Sequence, residues 1–297
     1  MATDGITFWN RHTQRVEQEL VYGEGAIRWL YETSIGQALS GSVIAKPWVS
    51  AIYGGLQDGA GSVKKIAPFV RQFAIPMEEY ENGPFRSFNE FFIRRFRPGA
   101  RPVTAVPSEM AAFAEARYYA IERLDPAQRF PVKGIALTAT ELVGDAQVAA
   151  PFIGGPAFIA RLCPVDYHRF HFPDDGRVLS SARRAGPLHS VNPLALQFKG
   201  DILITNERQV TILDTAHFGK LAYVEIGATM VGKIVQSHDA SRPFSRGDEK
   251  GYFLFGGSSV VMLGEPGRWT PDADLLQQTA LGRETLVRLG ERIATHR

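Results

Sequence analysis

Ser258 follows two glycines and precedes a second serine in the stretch Tyr252-Phe253-Leu254-Phe255-Gly256-Gly257-Ser258-Ser259-Val260-Val261-Met262-Leu263. Two apolar, β-prone runs flank the tetrapeptide and leave no room for a separate loop. A hydroxyl placed next to a residue without a Cβ can turn on its own backbone. The Ser258 oxygen can attack the carbonyl of Gly257, and glycine tolerates the strained geometry that such an N-to-O acyl shift requires. Eliminating the resulting ester would cut the chain and leave dehydroalanine, which hydrolyses to a pyruvoyl group. A glycine bulge in a buried strand is the other reading of the same residues.

A self-directed reaction needs a base, and the densest polar cluster in an apolar context is Cys163-Pro164-Val165-Asp166-Tyr167-His168-Arg169-Phe170-His171-Phe172-Pro173. Histidine titrates near neutrality, so one imidazole can take a proton from a serine hydroxyl and later return it. His168 and His171 would share a helix face but point to opposite sides of a strand. The flanking prolines favour strand or loop, so no metal site is expected from the pair, and satisfied structural histidines are the alternative. A second cluster is Pro187-Leu188-His189-Ser190-Val191-Asn192-Pro193. His189 and Asn192 can donate to a substrate carboxylate or oxyanion, or Ser190 and Asn192 can simply stabilise a turn.

These groups need a scaffold, and the pattern predicts an α+β fold: an N-terminal helical region packed on a larger antiparallel β domain, with a C-terminal helix. Residues from about 8 to 80 read as helical, with residues 1–100 as one region and 101–297 as the β-rich one. Ser87 and Glu90 form a capping box that opens a short helix, stopped by Pro98 and Gly99. Residues 85–102 hold five phenylalanines and five arginines; the arginines can meet anionic head groups, pair carboxylates or form a solvated face. Short apolar runs then predict strands at 118–121, 148–152, 158–162, 178–179, 202–205, 210–213, 221–226, 230–235 and 252–263, with a hairpin at Gly219. The final helix is expected over about 271–293.

Composition narrows the partners. A net charge of +2 over 297 residues argues against nucleic acid. The single cysteine, Cys163, excludes an internal disulfide framework and fits a reducing compartment. No C-x-x-C or H-E-x-x-H pattern suggests zinc. The N-terminus lacks the layout of a signal peptide, and no apolar run reaches the ~18 residues needed to cross a bilayer, so a soluble or peripheral protein is expected. Trp, Tyr and Phe beside Arg28, Lys46, Lys64, Lys65 and Arg71 suit an amphipathic element lying on a membrane, and equally a helical cap over a core.

The order of these motifs resembles the phosphatidylserine decarboxylase family: Phe-Arg-Ser-Phe-Asn-Glu-Phe-Phe at 85–92, the Pro164–His171 segment, Leu188–Asn192, Asn206-Glu207-Arg208, Val224–Gly232, and Phe255–Val261. The resemblance covers roughly residues 22 to 265. It implies a pyruvoyl-dependent proenzyme that cuts itself between Gly257 and Ser258 into a β chain, 1–257, and an α chain, 258–297. Ser258 would become the pyruvoyl group, His171 the base that activates it, and His168 a substrate-side acid or base. The pyruvoyl carbonyl would form a Schiff base with phosphatidylserine and act as electron sink, giving phosphatidylethanolamine with no added cofactor. An anionic membrane on the cytoplasmic face and a homodimer are further implications. One departure stands out: where the family has an Asp in an Ala-Asp-Gly context, this chain has Ala114-Glu115-Ala116. Glu115 would have to orient the base from a longer stem. Two alternatives remain, a pyruvoyl decarboxylase of a free amino acid such as tryptophan, and a non-processing relative that only binds lipid.

Overall fold

Val260-Val261-Met262-Leu263 is an uninterrupted apolar run, which suits a strand covered on both faces. In the computed structural model, which describes residues 6–21, 23–124, 137–229, 233–254, 256 and 258–296, it is such a strand. Ser258–Gly264 is buried at every position. It lies between the antiparallel strands Ala157–Leu162 and Gly219–Ile226 in the middle of the largest sheet. Outward on one side come Ala116–Ile121, Glu284–Val287 and the hairpin Thr7–Asn10/Arg15–Gln18; on the other come Arg208–Thr215 and Gly176–Arg184. All neighbours in this sheet are antiparallel except Thr7–Asn10, which runs parallel to Glu284–Val287. The fold is α+β with the larger part β, as expected.

A three-stranded sheet of Ile234–Gln236, Glu249–Phe253 and Arg169–His171 carries the second histidine and packs against the large one. The pleat shows which face Ser258 uses. Directly opposed residues of antiparallel strands share a face, and residues two apart along a strand do too. Ser258 therefore sides with Val260 and Met262, whose partners are Glu225 and Tyr223. Tyr223 donates its hydroxyl to the His171 carbonyl at 3.2 Å, and Glu225 accepts from Lys250 of the small sheet. Ser258 thus occupies the face covered by the small sheet. Lys250 is the irregular residue between Glu249, paired with His171, and Gly251, paired with Phe170. A bulge re-aims a side chain; this one turns Lys250 inward onto Glu225, Thr211 and Gln236. The neighbouring Gly251 has no alternative, because a Cβ there would meet the Val235 carbonyl at 2.1 Å.

Several local expectations gave way to tertiary context. Residues 148–152 and 202–205 are helical turns, not strands: Asp145 caps Ala146–Ala149 through Gln147 N and Val148 N, and Ile202–Thr205 is a single turn. The C-terminal helix is confined to Ala273–Ala280 and is followed by the strands Glu284–Val287 and Arg292–His296. Gly282 and Gly290, with φ of 70° and 82°, make the turns that break the helical reading of Leu286 and Leu289. At the other end, the hairpin precedes the helices. Ser87 caps the short helix as expected, with Glu90 N donating to Ser87 Oγ at 3.1 Å, but the Glu90 carboxylate accepts from Arg86 N in place of Ser87 N and the helix ends at Phe92, well before Pro98 and Gly99. The hairpin at Gly219 holds.

Candidate active site

Ser258 opens the central strand, wholly buried, and its Oγ has no hydrogen-bond partner among the described residues. Gly256, two residues before it, has φ of 139°, a conformation that essentially only glycine adopts. Gly257, the residue expected on the other side of the cut, lies outside the described residues, as do Met230, Val231 and Gly232 of the family motif.

Both histidines are held the same way. His168 Nδ1 lies 3.0 Å from the Asp166 carbonyl, and His171 Nδ1 lies 2.8 Å from the Gly247 carbonyl. A carbonyl oxygen only accepts, so each Nδ1 carries the proton and each Nε2 presents a lone pair. His171 Nε2 receives the Tyr167 hydroxyl at 3.3 Å. His168 Nε2 has no partner among the described residues, and the ring lies against Phe92, tilted by 37° with centroids 3.9 Å apart. Burial drives the His168 pKa down to about 3, and the charge of Arg94 adds to the fall; the Asp166 carbonyl and the Gly256 backbone oppose it. Burial lowers His171 as well, against the Gly247 carbonyl. Both are neutral bases at physiological pH.

The sign of the resulting pH dependence follows. Above the ordinary value of 6.5 His168 is neutral folded or unfolded and contributes nothing. As pH falls from there toward about 3, the unfolded chain takes up a proton that the folded chain refuses, so stability declines. Thermal melting of a Ser258→Ala chain should therefore drop between about pH 7 and about pH 5, and less so with His168→Gln added. An equal drop in both would place the acid sensitivity elsewhere.

Glu115 lies two residues from Phe113, whose carbonyl accepts from His171 N at 2.7 Å. Its carboxylate turns instead to Arg101, bound through Nε at 2.5 Å and Nη2 at 2.8 Å, and accepts from Leu289 N at 3.3 Å. No hydrogen bond joins it to either histidine among the described residues, and the Gly247 carbonyl orients His171. In the second cluster, Asn192 Oδ1 caps the helix Pro193–Phe198 by accepting from Leu194 N. His189 is buried with Nδ1 unpartnered among the described residues, and burial lowers its pKa; Asn206 grips its backbone on both sides.

Two features beside the histidines had no distinct signal in the sequence. Tyr167 is the hydroxyl on His171 Nε2. The Glu225–Lys250 pair, fully buried, lies one diagonal step from Ser258 on the same face and locks the two sheets together. Only an acidic residue inside the apolar Val224–Ile226 run hinted at it.

A family model described as phosphatidylserine decarboxylase matches residues 88–295. The phosphatidylserine decarboxylase proenzyme of Desulfitobacterium hafniense (strain Y51) is 39% identical over 290 residues, covering 97% of each chain. That of Clostridium novyi (strain NT) is 36% identical over 292 residues, covering 98% of this chain and 99% of its own. The proenzyme of Clostridium tetani (strain Massachusetts / E88) is 38% identical over 290 residues, covering 97% of each.

Proposed function

The chain belongs to the phosphatidylserine decarboxylase family, a family of carboxy-lyases, and on that premise we propose that it is a proenzyme which cuts itself between Gly257 and Ser258 and then converts phosphatidylserine to phosphatidylethanolamine. The observation that carries this reading is Ser258 itself. A buried hydroxyl without a partner costs about 1–3 kcal/mol, and structural serines in strands avoid that cost by bonding. Ser258 Oγ bears it at the junction of a glycine pair with the central strand.

In the cut, the Ser258 Oγ–C bond to Gly257 forms and the Gly257–Ser258 C–N bond breaks, leaving an ester and a free Ser258 amine. Loss of the Ser258 α-proton then expels the Gly257 carboxylate and leaves dehydroalanine, which water converts to the pyruvoyl group with release of ammonia. His171 serves as the base in this sequence: its Nε2 lone pair is fixed by the Gly247 carbonyl behind it, with Tyr167 yielding its place to the serine. That carbonyl supplies the orientation for which the resemblance implied Glu115, so a carboxylate engaged by Arg101 does not forbid processing. The pyruvoyl carbonyl would supply an electron sink for the carbon that loses CO2. The residue that becomes it is held by strand pairing of Ser258 with Leu162 on one side and of the following Ser259 with Ile226 on the other. His168, whose Nε2 has no hydrogen-bond partner among the described residues, holds or returns the proton on the substrate side. Release of CO2 with appearance of the ethanolamine lipid from purified protein and phosphatidylserine vesicles tests the reading; binding of vesicles without CO2 release would sink it.

The helix Pro47–Asp58 supports a lipid as the substrate. Its polar or small residues Ser50, Gly54 and Gln57 are buried, while Trp48, Ile52 and Leu56 are 59%, 60% and 66% exposed. Spaced by four, the three lie on one face, so the helix turns its apolar side outward. None of the described helices is long and apolar enough to cross a membrane. We assign this face, with the exposed Ile35, to insertion into an anionic membrane, with Lys46 at the start of the helix. A decarboxylase of a free amino acid would have no use for it. Ile52→Asp with Leu56→Asp should weaken sedimentation with anionic vesicles by roughly a hundred-fold or more, each side chain losing about 1.5–3 kcal/mol of apolar burial. Turnover of a soluble short-chain phosphatidylserine should be retained; unchanged vesicle binding would remove this helix from the interface.

A further inference from the structure

Arg94 is 2% exposed and forms no ion pair with any carboxylate among the described residues. Its Nε and Nη1 have no hydrogen-bond partner among them either. Nη2 donates to the Val165 carbonyl at 3.0 Å and reaches Tyr80 Oη at 3.4 Å and the Asp166 carbonyl at 3.5 Å. The guanidinium also lies over the rings of Tyr80, at 4.3 Å, and Phe91, at 4.9 Å. Rings and carbonyls offset part of its desolvation but supply no counter-charge. Of the other four arginines of the segment, Arg97 is exposed and donates to the Tyr80 carbonyl and Asn82 Oδ1, and the remaining three have carboxylate partners. Arg86 pairs with Glu90, Arg95 with Glu249, and Arg101 with Glu79 and Glu115.

The position of this cation is informative. The Asp166 carbonyl that Nη2 approaches is the one that fixes His168 Nδ1, so Arg94 and the substrate-side histidine share an anchor. On the opposite side, Arg94 follows the helix Phe88–Phe92, and Asn89 of that helix donates to the Gly54 carbonyl and to Asp58 of the helix whose apolar face is exposed. Contacts thus run from the helix with the exposed apolar face through Asn89 to the short helix before Arg94, and from Arg94 through the Asp166 carbonyl to His168, which the Gly256 backbone also meets. A phospholipid carries its groups in the same order: acyl chains, phosphodiester, amino-acid head.

We propose that Arg94 is a binding residue for the phosphodiester of the lipid substrate. This deepens the reading above and rests on it. The substrate carries two anionic groups, and the phosphodiester fits better. A guanidinium on the carboxylate would stabilise the charge that must disappear as CO2 leaves, favouring the ground state over the transition state. On the phosphodiester the charge is unchanged through the reaction, so the contact adds uniform binding, read in KM and not in kcat.

The test uses the self-cut enzyme and Arg94→Met and Arg94→Lys variants, with a soluble short-chain phosphatidylserine as substrate and glycerophosphoethanolamine, which keeps the phosphodiester and lacks the carboxylate, as inhibitor. Arg94→Met should be cut like the unchanged protein and show KM raised roughly ten- to hundred-fold with kcat within about two-fold. Inhibition by glycerophosphoethanolamine should weaken by a similar factor, and Arg94→Lys should recover part of both losses. In the uncut Ser258→Ala background, Arg94→Met should melt no lower than its parent, because it removes a buried charge that lacks a counter-ion. An unchanged KM, a fall in kcat at constant KM, or undiminished inhibition would each overturn the assignment. A lower melting temperature would also overturn it, since it would make Arg94 a scaffold residue for Val165 and Tyr80. Failure of the unchanged chain to cut itself would instead strike at the pyruvoyl reading.

Discussion

Ser258→Ala is expected to leave one uncut chain of 297 residues with no decarboxylase activity, while the unchanged protein resolves into chains of 257 and 40 residues (297 − 257 = 40). The substitution removes one oxygen, and in the proposed cut that oxygen is both the nucleophile and the leaving atom in formation of the pyruvoyl group. No neighbouring group can replace it by proximity. Ser259 points to the other face of the sheet by the pleat, where its partner is Ile226. The activity lost is the whole cofactor-dependent acceleration, roughly a million-fold or more. The fold should survive, because the hydroxyl makes no hydrogen bond among the described residues and alanine fits the same buried place. Intact mass under denaturing conditions decides the matter. A native chain found uncut, or an alanine variant with native activity, would refute autonomous formation of the cofactor.

The second large effect separates the two histidines. His171→Ala should accumulate uncut chain, cutting roughly a hundred- to ten-thousand-fold more slowly, the usual worth of a positioned general base. His168→Ala should be cut but turn over slower by a similar factor. Both rings have Nδ1 committed to a carbonyl and carry the lone pair on Nε2, so tautomer alone does not distinguish them. Their surroundings do: Tyr167 already feeds a hydroxyl to His171 Nε2, an arrangement that a serine hydroxyl can take over, whereas His168 lies against Phe92 and beside Arg94 on the lipid side. Time courses of chain cutting, and kcat of the fraction already cut, give the two numbers. Reversed phenotypes would make His168 the base for Ser258 and overturn the roles proposed here.

The functional consequence of Glu115 is also within reach of these measurements. Its partner Arg101 is part of a cluster joining Glu79 and the Leu289 backbone. Glu115→Gln would test whether the carboxylate supports the loop that holds His171 N or takes part in the cut. On the geometry described, cutting should slow by no more than about ten-fold, since Gly247 already orients the base.

What the sequence determined by itself is short-range. A continuous apolar run after two glycines defined a fully covered strand with a serine at its mouth; Ser87 and Glu90 three apart defined a cap; and Gly219 between two β-prone runs defined a hairpin. Each depends on residues within one turn or one strand of each other, where spacing translates directly into geometry. Tertiary structure decided the rest. Runs as short as 148–152 and 202–205 contain too few residues to show a period, so the surroundings chose helix over strand. The leucines at 286 and 289 match helical spacing, yet Leu286 pairs with Arg117, 169 positions earlier (286 − 117 = 169), between two inner strands of the large sheet. The identity of the group that aims His171 was likewise out of reach, because it is a backbone carbonyl 76 residues away. The same holds for Arg94: five arginines in one segment look alike in sequence, and only folding buries that one without a carboxylate among the described residues, whereas Arg97, bound to the Tyr80 carbonyl and Asn82, stays exposed. Whether a charged side chain is paired depends on what folding brings to it, and that is a property of the packed chain.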